Sequence, residues 1–417
     1  MDRRNFMRTA ALGTAALALP FGHAGWIARG ATLAGRSDGA PQRLIVIFQR
    51  GAVDGLSVVV PYRDDAYYQA RKSIAINPPG QAGGVLDLDG HFGAHPSLAG
   101  VMPLWRNKSL AFIHACGSPD PTRSHFDAQI FMETGTPGRS STPDGWMNRL
   151  LEQIPGPHSA TQAIAFGSNV PRILTGKLAV ANVATGKGAG KPLSIDQPEI
   201  NAAFARLYGG TDAMSRTFQE SQESRRQVMA DLSDEMVAAD NGAPLPDGFP
   251  GDAARLAKMM RQDPSIQLAF MALGGWDTHI NQGNAQGQLA GRLKPLADGL
   301  AVLANGLGPS YADTVIVVMS EFGRTVHENG NGGTDHGHGN VMWVMGGKVA
   351  GGQVYGDWPT LSTASLYQGR DVAITTDFRA VLEPVLSRHM GLPDRTLPDV
   401  LPGSFSAAAG MSRLIQA

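Results

Sequence analysis

The sequence predicts an α/β fold, a doubly wound and mostly parallel sheet with helices on both faces. Three observations predict it. Short, continuous apolar runs recur along the chain, as in strands buried on both faces. A helical repeat of apolar residues lies between two of these runs, as a parallel crossover requires. Most of the runs lead into glycine-bearing polar loops, and open α/β sheets bind their ligands beyond such strand ends.

The chain begins with an address. Arg3-Arg4, then Asn5-Phe6 and an apolar stretch from Thr9 to about Pro20, has the pattern of a twin-arginine export signal. The stretch is shorter than the ~20 residues that span a bilayer. Residues 1–35 are therefore expected to be a signal peptide, and the protein to be periplasmic or otherwise exported with no stable membrane span after cleavage. Residues 36–417 are expected to form one domain with a helical insertion near 200–260, where the stretch from Phe204 to about Ala239 is polar and charged.

Five runs read as strands: Leu44–Phe48, Leu110–His114, Gln267–Leu273, Thr314–Met319 and Val341–Met345. Leu289–Leu307 repeats leucine every three or four residues and leads into the fourth strand, which reads as a crossover helix. Phe126–Met132 reads as a helix opened by Ser124, and Ala380–Met390 as a late helix ended by Gly391 and Pro393. Pro137–Asp144 and Gly242–Gly251 read as loops.

Composition narrows the chemistry. Lys+Arg 35 against Asp+Glu 36 leaves a formal net charge of −1, without the basic surplus that nucleic-acid binding needs. The single cysteine, Cys116, excludes an intrachain disulfide, a Cys-rich zinc module and an iron–sulfur site. No flavin, nicotinamide or haem fingerprint appears. Gly 52 and Pro 27 among 417 residues predict a loop-rich, enzyme-like domain.

The strand ends carry the titratable residues. Asp277 and His279 are two apart, so an extended segment presents both on one side, and His336 and His338 repeat the spacing beside Asp335. Mixed His/carboxylate sets suit zinc, manganese or iron. The glycines around His336 and His338 remove bulk and permit unusual φ where backbone wraps an ion. Ser124 is an N-cap by type; at a helix N-terminus its hydroxyl also has the setting of a nucleophile facing an anion. Arg50, Arg123 and Arg324 are candidates to bind phosphate or sulfate oxygens.

Arg50-Gly51-Ala52-Val53-Asp54-Gly55-Leu56, Ser124-His125-Phe126, Gly274-Gly275-Trp276-Asp277-Thr278-His279, Ser320-Glu321-Phe322-Gly323-Arg324-Thr325 and Thr334-Asp335-His336-Gly337-His338-Gly339 occur in that order. Together they resemble the exported family called domain of unknown function 1501, a distant relative of the alkaline phosphatase and sulfatase superfamily. The resemblance implies an alkaline phosphatase-like fold and a divalent metal, zinc foremost. It implies a metal site of Asp277, His279 and His338, with Asp54 and Glu321 approaching a second metal and Ser124 near the nucleophile position. Glu321-Phe322 departs from the superfamily's Asp-His after that strand, and Gln49-Arg50 displaces its first Asp, so one ion fits better than two. The expected function is metal-dependent hydrolysis of a small anionic ester, phosphate or sulfate. The alternative is an inactive periplasmic binding or assembly protein of the same fold that binds a glycan, a lipid or an exported protein partner.

Overall fold

Valine, isoleucine, leucine and phenylalanine in unbroken runs suit a sheet covered on both sides, because no face needs to be polar. The computed structural model describes residues 41–185, 236, 238–406, 408 and 410–416, and builds such a sheet. Its strands are β1 (Arg43–Gln49), β5 (Leu110–Gly117), β6 (Ala163–Phe166), β7 (Ala181–Val183), β8 (Leu268–Leu273), β9 (Thr314–Ser320), β10 (Asn340–Gly346), β11 (Val354–Tyr355) and β12 (Thr376–Asp377). A small sheet holds β2 (Val59–Val60), β3 (Leu86–Asp87) and β4 (Gly93–Ala94). The nine-stranded sheet has the order β11-β5-β10-β9-β1-β8-β6-β7, with β12 also beside β5.

Strand β1 is central and pairs in parallel with β8 on one side and β9 on the other. Its side chains alternate between two apolar layers. Ile45 and Ile47 join the layer of the helices Phe249–Gln262 and Gln288–Leu307, and Leu44, Val46 and Phe48 join that of Trp146–Gln153 and Phe378–Pro384. Helices thus cover both faces, which gives the predicted doubly wound architecture. On Gln288–Leu307, Leu289, Leu293, Leu296, Leu300, Leu303 and Leu307 are all buried. Each contributes roughly 1.5–3 kcal/mol relative to exposure, before the entropy of ordering it. That helix carries the chain from β8 to β9 with β1 lying between them, a right-length parallel crossover.

Strand β10 is the exception, and it matters most for the site. It runs antiparallel to both β9 and β5. Its N-terminal end therefore lies at the edge where the parallel strands finish, so the β9–β10 connection folds back there and meets the loops after β1 and β8.

Three sequence expectations change in detail. The stretch Gly242–Gly251 is loop only as far as Leu245, since a 3-10 turn over Pro246–Gly248 leads into the helix Phe249–Gln262, with Pro250 in its first turn, where a missing N–H costs nothing. The late helix spans Phe378–Pro384 and continues as a wider turn over Val385–His389. Strands β6 and β7 are additional. The expected signal peptide at 1–35 and most of the polar stretch from Phe204 to Ala239 lie outside the described residues.

Candidate metal centre

Three connections bring their side chains to one point. Ser124 caps the helix His125–Thr134, its Oγ accepting from Asp127 N at 3.4 Å. This places His125 in the first helical turn. The loop after β8 supplies Asp277 and His279, and the single β9–β10 connection supplies Glu321 and Arg324 from its first arm and Asp335 and His336 from its second.

The imidazoles converge through one kind of atom. His336 Nε2 lies 2.9 Å from His125 Nε2 and 3.0 Å from His279 Nε2. Each ring is held from behind at Nδ1. The partners are Glu321 Oε1 for His125 at 2.9 Å, Asp335 Oδ1 for His279 at 3.1 Å, and the Arg123 carbonyl for His336 at 3.0 Å. All three partners accept, so each Nδ1 carries the proton. The neutral tautomer then leaves three Nε2 lone pairs facing one another. A proton on one Nε2, or a metal cation between them, relieves that repulsion.

The Asp277 carboxylate completes the cluster. Its Oδ1 lies 3.1 Å from His279 Nε2 and 3.5 Å from His336 Nε2, and accepts from Arg324 Nη1 at 2.6 Å. Its Oδ2 is buried with no hydrogen-bond partner among the described residues, and His125 Nε2 lies 3.5 Å away. Burial opposes ionisation of Asp277, but the three imidazoles and the Arg324 guanidinium hold its carboxyl far below the usual range. Burial likewise opposes a charge on His125, yet Asp277 and Glu321 push its pKa up to about 9, whereas burial leaves His336 lowered. One ring of the trio thus takes a proton readily where its neighbour resists one. His125, Asp277 and His336 offer ligand atoms all within 4.8 Å of one another, a spacing that can hold a metal ion.

Glycines let these loops touch. Gly51, at φ +112°, packs against the Asp277 backbone where a Cβ would lie 2.7 Å from Asp277 N, and its own N–H donates to Glu321 Oε1 at 2.8 Å. Gly323 and Gly337 zip the two arms of the β9–β10 connection together, Gly323 N donating to the His338 carbonyl and Gly337 N to the Gly323 carbonyl, both at 2.8 Å. A Cβ on Gly323 would lie 1.9 Å from the Gly339 carbonyl oxygen. The glycines beside His336 thus serve close backbone approach, the expected absence of bulk, whereas neither Gly337 nor Gly339 uses the positive φ also expected of them.

The remaining sequence candidates have other surroundings. His338 is not brought to the cluster: its ring stacks on Tyr367 with centroids 4.2 Å apart. Glu321 is filled by protein donors from Gly51, His125, Gln129 and Ser320, so it positions His125. Asp335 does the same for His279. Asp54 lies in a separate buried ion pair, receiving Arg71 Nη1 at 2.6 Å and Nη2 at 2.9 Å, with Ser57 and Gln282 donating as well. Gln282 in turn accepts from Thr278 and Thr334, which flank the cluster loops. Arg50 pairs with Glu133 at 2.6 Å. Phe322 packs under the rings of His125 and His336, at 4.9 and 5.3 Å between centroids.

Two residues escaped sequence reasoning. His125 stood in a quoted motif, but the chemistry was expected of its neighbour Ser124. Asp240 stands just past the polar stretch; its Oδ1 accepts from Gly275 N at 2.6 Å, and its carboxyl fills the space that Gly274 leaves by lacking a Cβ. Burial, with Asp277 and Glu321 nearby, raises its pKa to about 6. The Gly274-Gly275 pair was the one available hint.

No curated protein matches the chain. It is similar to the crystal structure of Ps i-CgsB in complex with k-i-k-neocarrahexaose, at 13% identity over 86% of this chain and 74% of that one, with a TM-score of 0.44. It is also similar to a protein in the alkaline phosphatase superfamily from Vibrio parahaemolyticus (11% identity, 77% and 64% covered, TM-score 0.39). A further similar structure is the C-terminal periplasmic domain of EcEptC from Escherichia coli in complex with Zn (9% identity, 74% and 73% covered, TM-score 0.34). The family described as Protein of unknown function (DUF1501) matches residues 41–401, and the chain belongs to it.

Proposed function

We propose that the protein is an exported, metal-dependent hydrolase of phosphate or sulfate esters. One observation carries this reading: three imidazoles pinned at Nδ1, with their Nε2 atoms turned on one another beside a carboxylate whose Oδ2 is buried and unbonded. His125, Asp277 and His336 would hold the ion, with His279 at their side. Neutral imidazoles with one carboxylate form a donor set that suits zinc. Glu321, Asp335 and the Arg123 carbonyl orient those ligands.

A bound divalent ion would polarise the ester and ease deprotonation of a hydroxyl or water. The chain's own residues supply the rest. Arg324 neutralises one edge of Asp277, and Arg71 occupies Asp54, which favours a single ion. Ser124 stands between Arg123, whose carbonyl holds His336, and His125; it is the hydroxyl we assign as nucleophile. Phe322 keeps water from the inner side of the rings. Arg324 is held by Asp277 and the Arg50 Nη2 by Glu133, so neither guanidinium is free to clamp the phosphate or sulfate oxygens.

Elemental analysis of purified protein under metal-replete conditions tests the centre. Stoichiometric zinc or a related ion is expected in the wild type, and its loss in Asp277→Ala and His336→Ala. A metal-free wild type would overturn the reading. A panel of chromogenic phosphate and sulfate esters tests turnover, with Ser124→Ala expected to lower kcat. Bound metal without turnover of any ester would move the protein to the alternative, a binding protein that keeps the fold.

A further inference from the structure

A pocket opens beside the centre, between the helix His125–Thr134, the loop after β6 and the turn at 241–244. Its relation to the centre follows from helix geometry. Gln129 and Glu133 stand one and two turns beyond His125 on the same helix face, about 6 and 12 Å along the axis at ~1.5 Å per residue. Gln129 belongs to both places: it lines the pocket, and its Nε2 donates to Glu321 Oε1, the carboxylate that holds His125, at 3.0 Å.

Two features of the lining bear on a ligand. Among the described residues only four large apolar side chains are exposed, and two of them, Phe126 at 56% and Val170 at 42%, line this pocket. Phe166 and Phe270 add apolar surface. Exposed apolar residues gathered in a concavity mark a ligand-binding surface more often than an accident of folding. The second feature is Arg50, 95% buried by its 5% exposure, whose Nε has no hydrogen-bond partner although its Nη2 is bound to Glu133. A buried N–H left without a partner is costly unless a ligand or water accepts from it.

We propose that this pocket binds the alcohol part of the ester, and that this part is an aryl or comparable hydrocarbon group with Arg50 Nε donating to an acceptor on it. The proposal rests on the metal-hydrolase reading for the direction in which the ester lies. The apolar group packs between Phe126 and Val170, and its ester end points along the helix toward His125. Esters of small alcohols leave the pocket unused.

Isothermal titration of the metal-loaded protein tests this without turnover. The probes are 1-naphthylmethylphosphonate, methylphosphonate and a glucose-bearing phosphonate. The naphthyl compound is expected to bind at least about ten-fold tighter than methylphosphonate, the scale of burying a few methylene equivalents. In Phe126→Ala, which alters an exposed side chain the fold does not need, that ratio should fall toward one; Val170→Ser should lower it as well. Equal affinities, no binding by any probe, preference for the glucose-bearing compound, or a ratio unmoved in both variants would each overturn the proposal. The two readings separate cleanly. Naphthyl binding without hydrolysis of any ester would keep the pocket and sink the hydrolase, and equal kcat/KM for methyl and naphthyl phosphates would do the reverse.

Discussion

His125 shows how a residue's meaning depends on what stands behind it. Its Nδ1 is fixed by Glu321, whose remaining capacity is consumed by Gly51, Gln129 and Ser320. Glu321→Gln keeps the shape but weakens the acceptor, so metal affinity is expected to fall about 10–100-fold in competition with a chelator, with stoichiometry retained at saturation. Asp54 makes the contrasting case. Asp54→Ala leaves the fully buried Arg71 guanidinium unpaired, and urea denaturation should show a loss of about 3–5 kcal/mol. A loss of metal at unchanged stability would instead make Asp54 a ligand. Sequence spacing brought Asp277, His279 and His336 into view because ligand pairs at i,i+2 are a local pattern. It could not separate Asp54 from them or expose Asp240, because which carboxylate meets an arginine and which meets an imidazole is decided across distant loops.

At the scale of elements, the buried strands were legible from their unbroken apolar runs, and all five appear as β1, β5, β8, β9 and β10. The four-residue β6 and the three-residue β7 were too short to stand out. The direction of β10 was also hidden, since apolarity carries no sense of orientation. Strand β5 holds a further consequence. His114 Nε2 donates to the Val59 carbonyl and its Nδ1 accepts from Ala115 N, and His95 is fixed in the same way between Asn284 and Ser97. Burial lowers both to a pKa of about 4. The unfolded chain binds these protons near 6.5, so their contribution is fully present above that value and is lost as pH falls toward 4. The loss is on the order of 3 kcal/mol each. Denaturation curves from pH 7 to 4 should show it, with a shallower fall in His114→Gln. The glycine zipper makes a second prediction at this scale. Gly337→Ala would drive a Cβ to 2.4 Å from the Arg324 carbonyl carbon, and should abolish metal binding while far-UV circular dichroism stays close to wild type.

For the whole molecule, the single thiol is a reporter. Cys116 is fully buried, and burial raises its pKa well above the ordinary value. It should resist thiol reagents in the native state and react only as fast as the sheet opens. The export reading has its own test at this scale: replacing Arg3 and Arg4 together by lysine should hold the protein in the cytoplasm, and export at the wild-type level would remove the twin-arginine assignment. The antiparallel entry of β10 has one more consequence, in time. His125 and His336 are 211 residues apart in the chain, and they meet only because β10 starts at the edge where its neighbours end. A growing or refolding chain therefore has no cation trap until its late strands dock. Metal uptake should lag behind sheet formation in stopped-flow refolding, so that the ion acts as a timestamp on the completed fold.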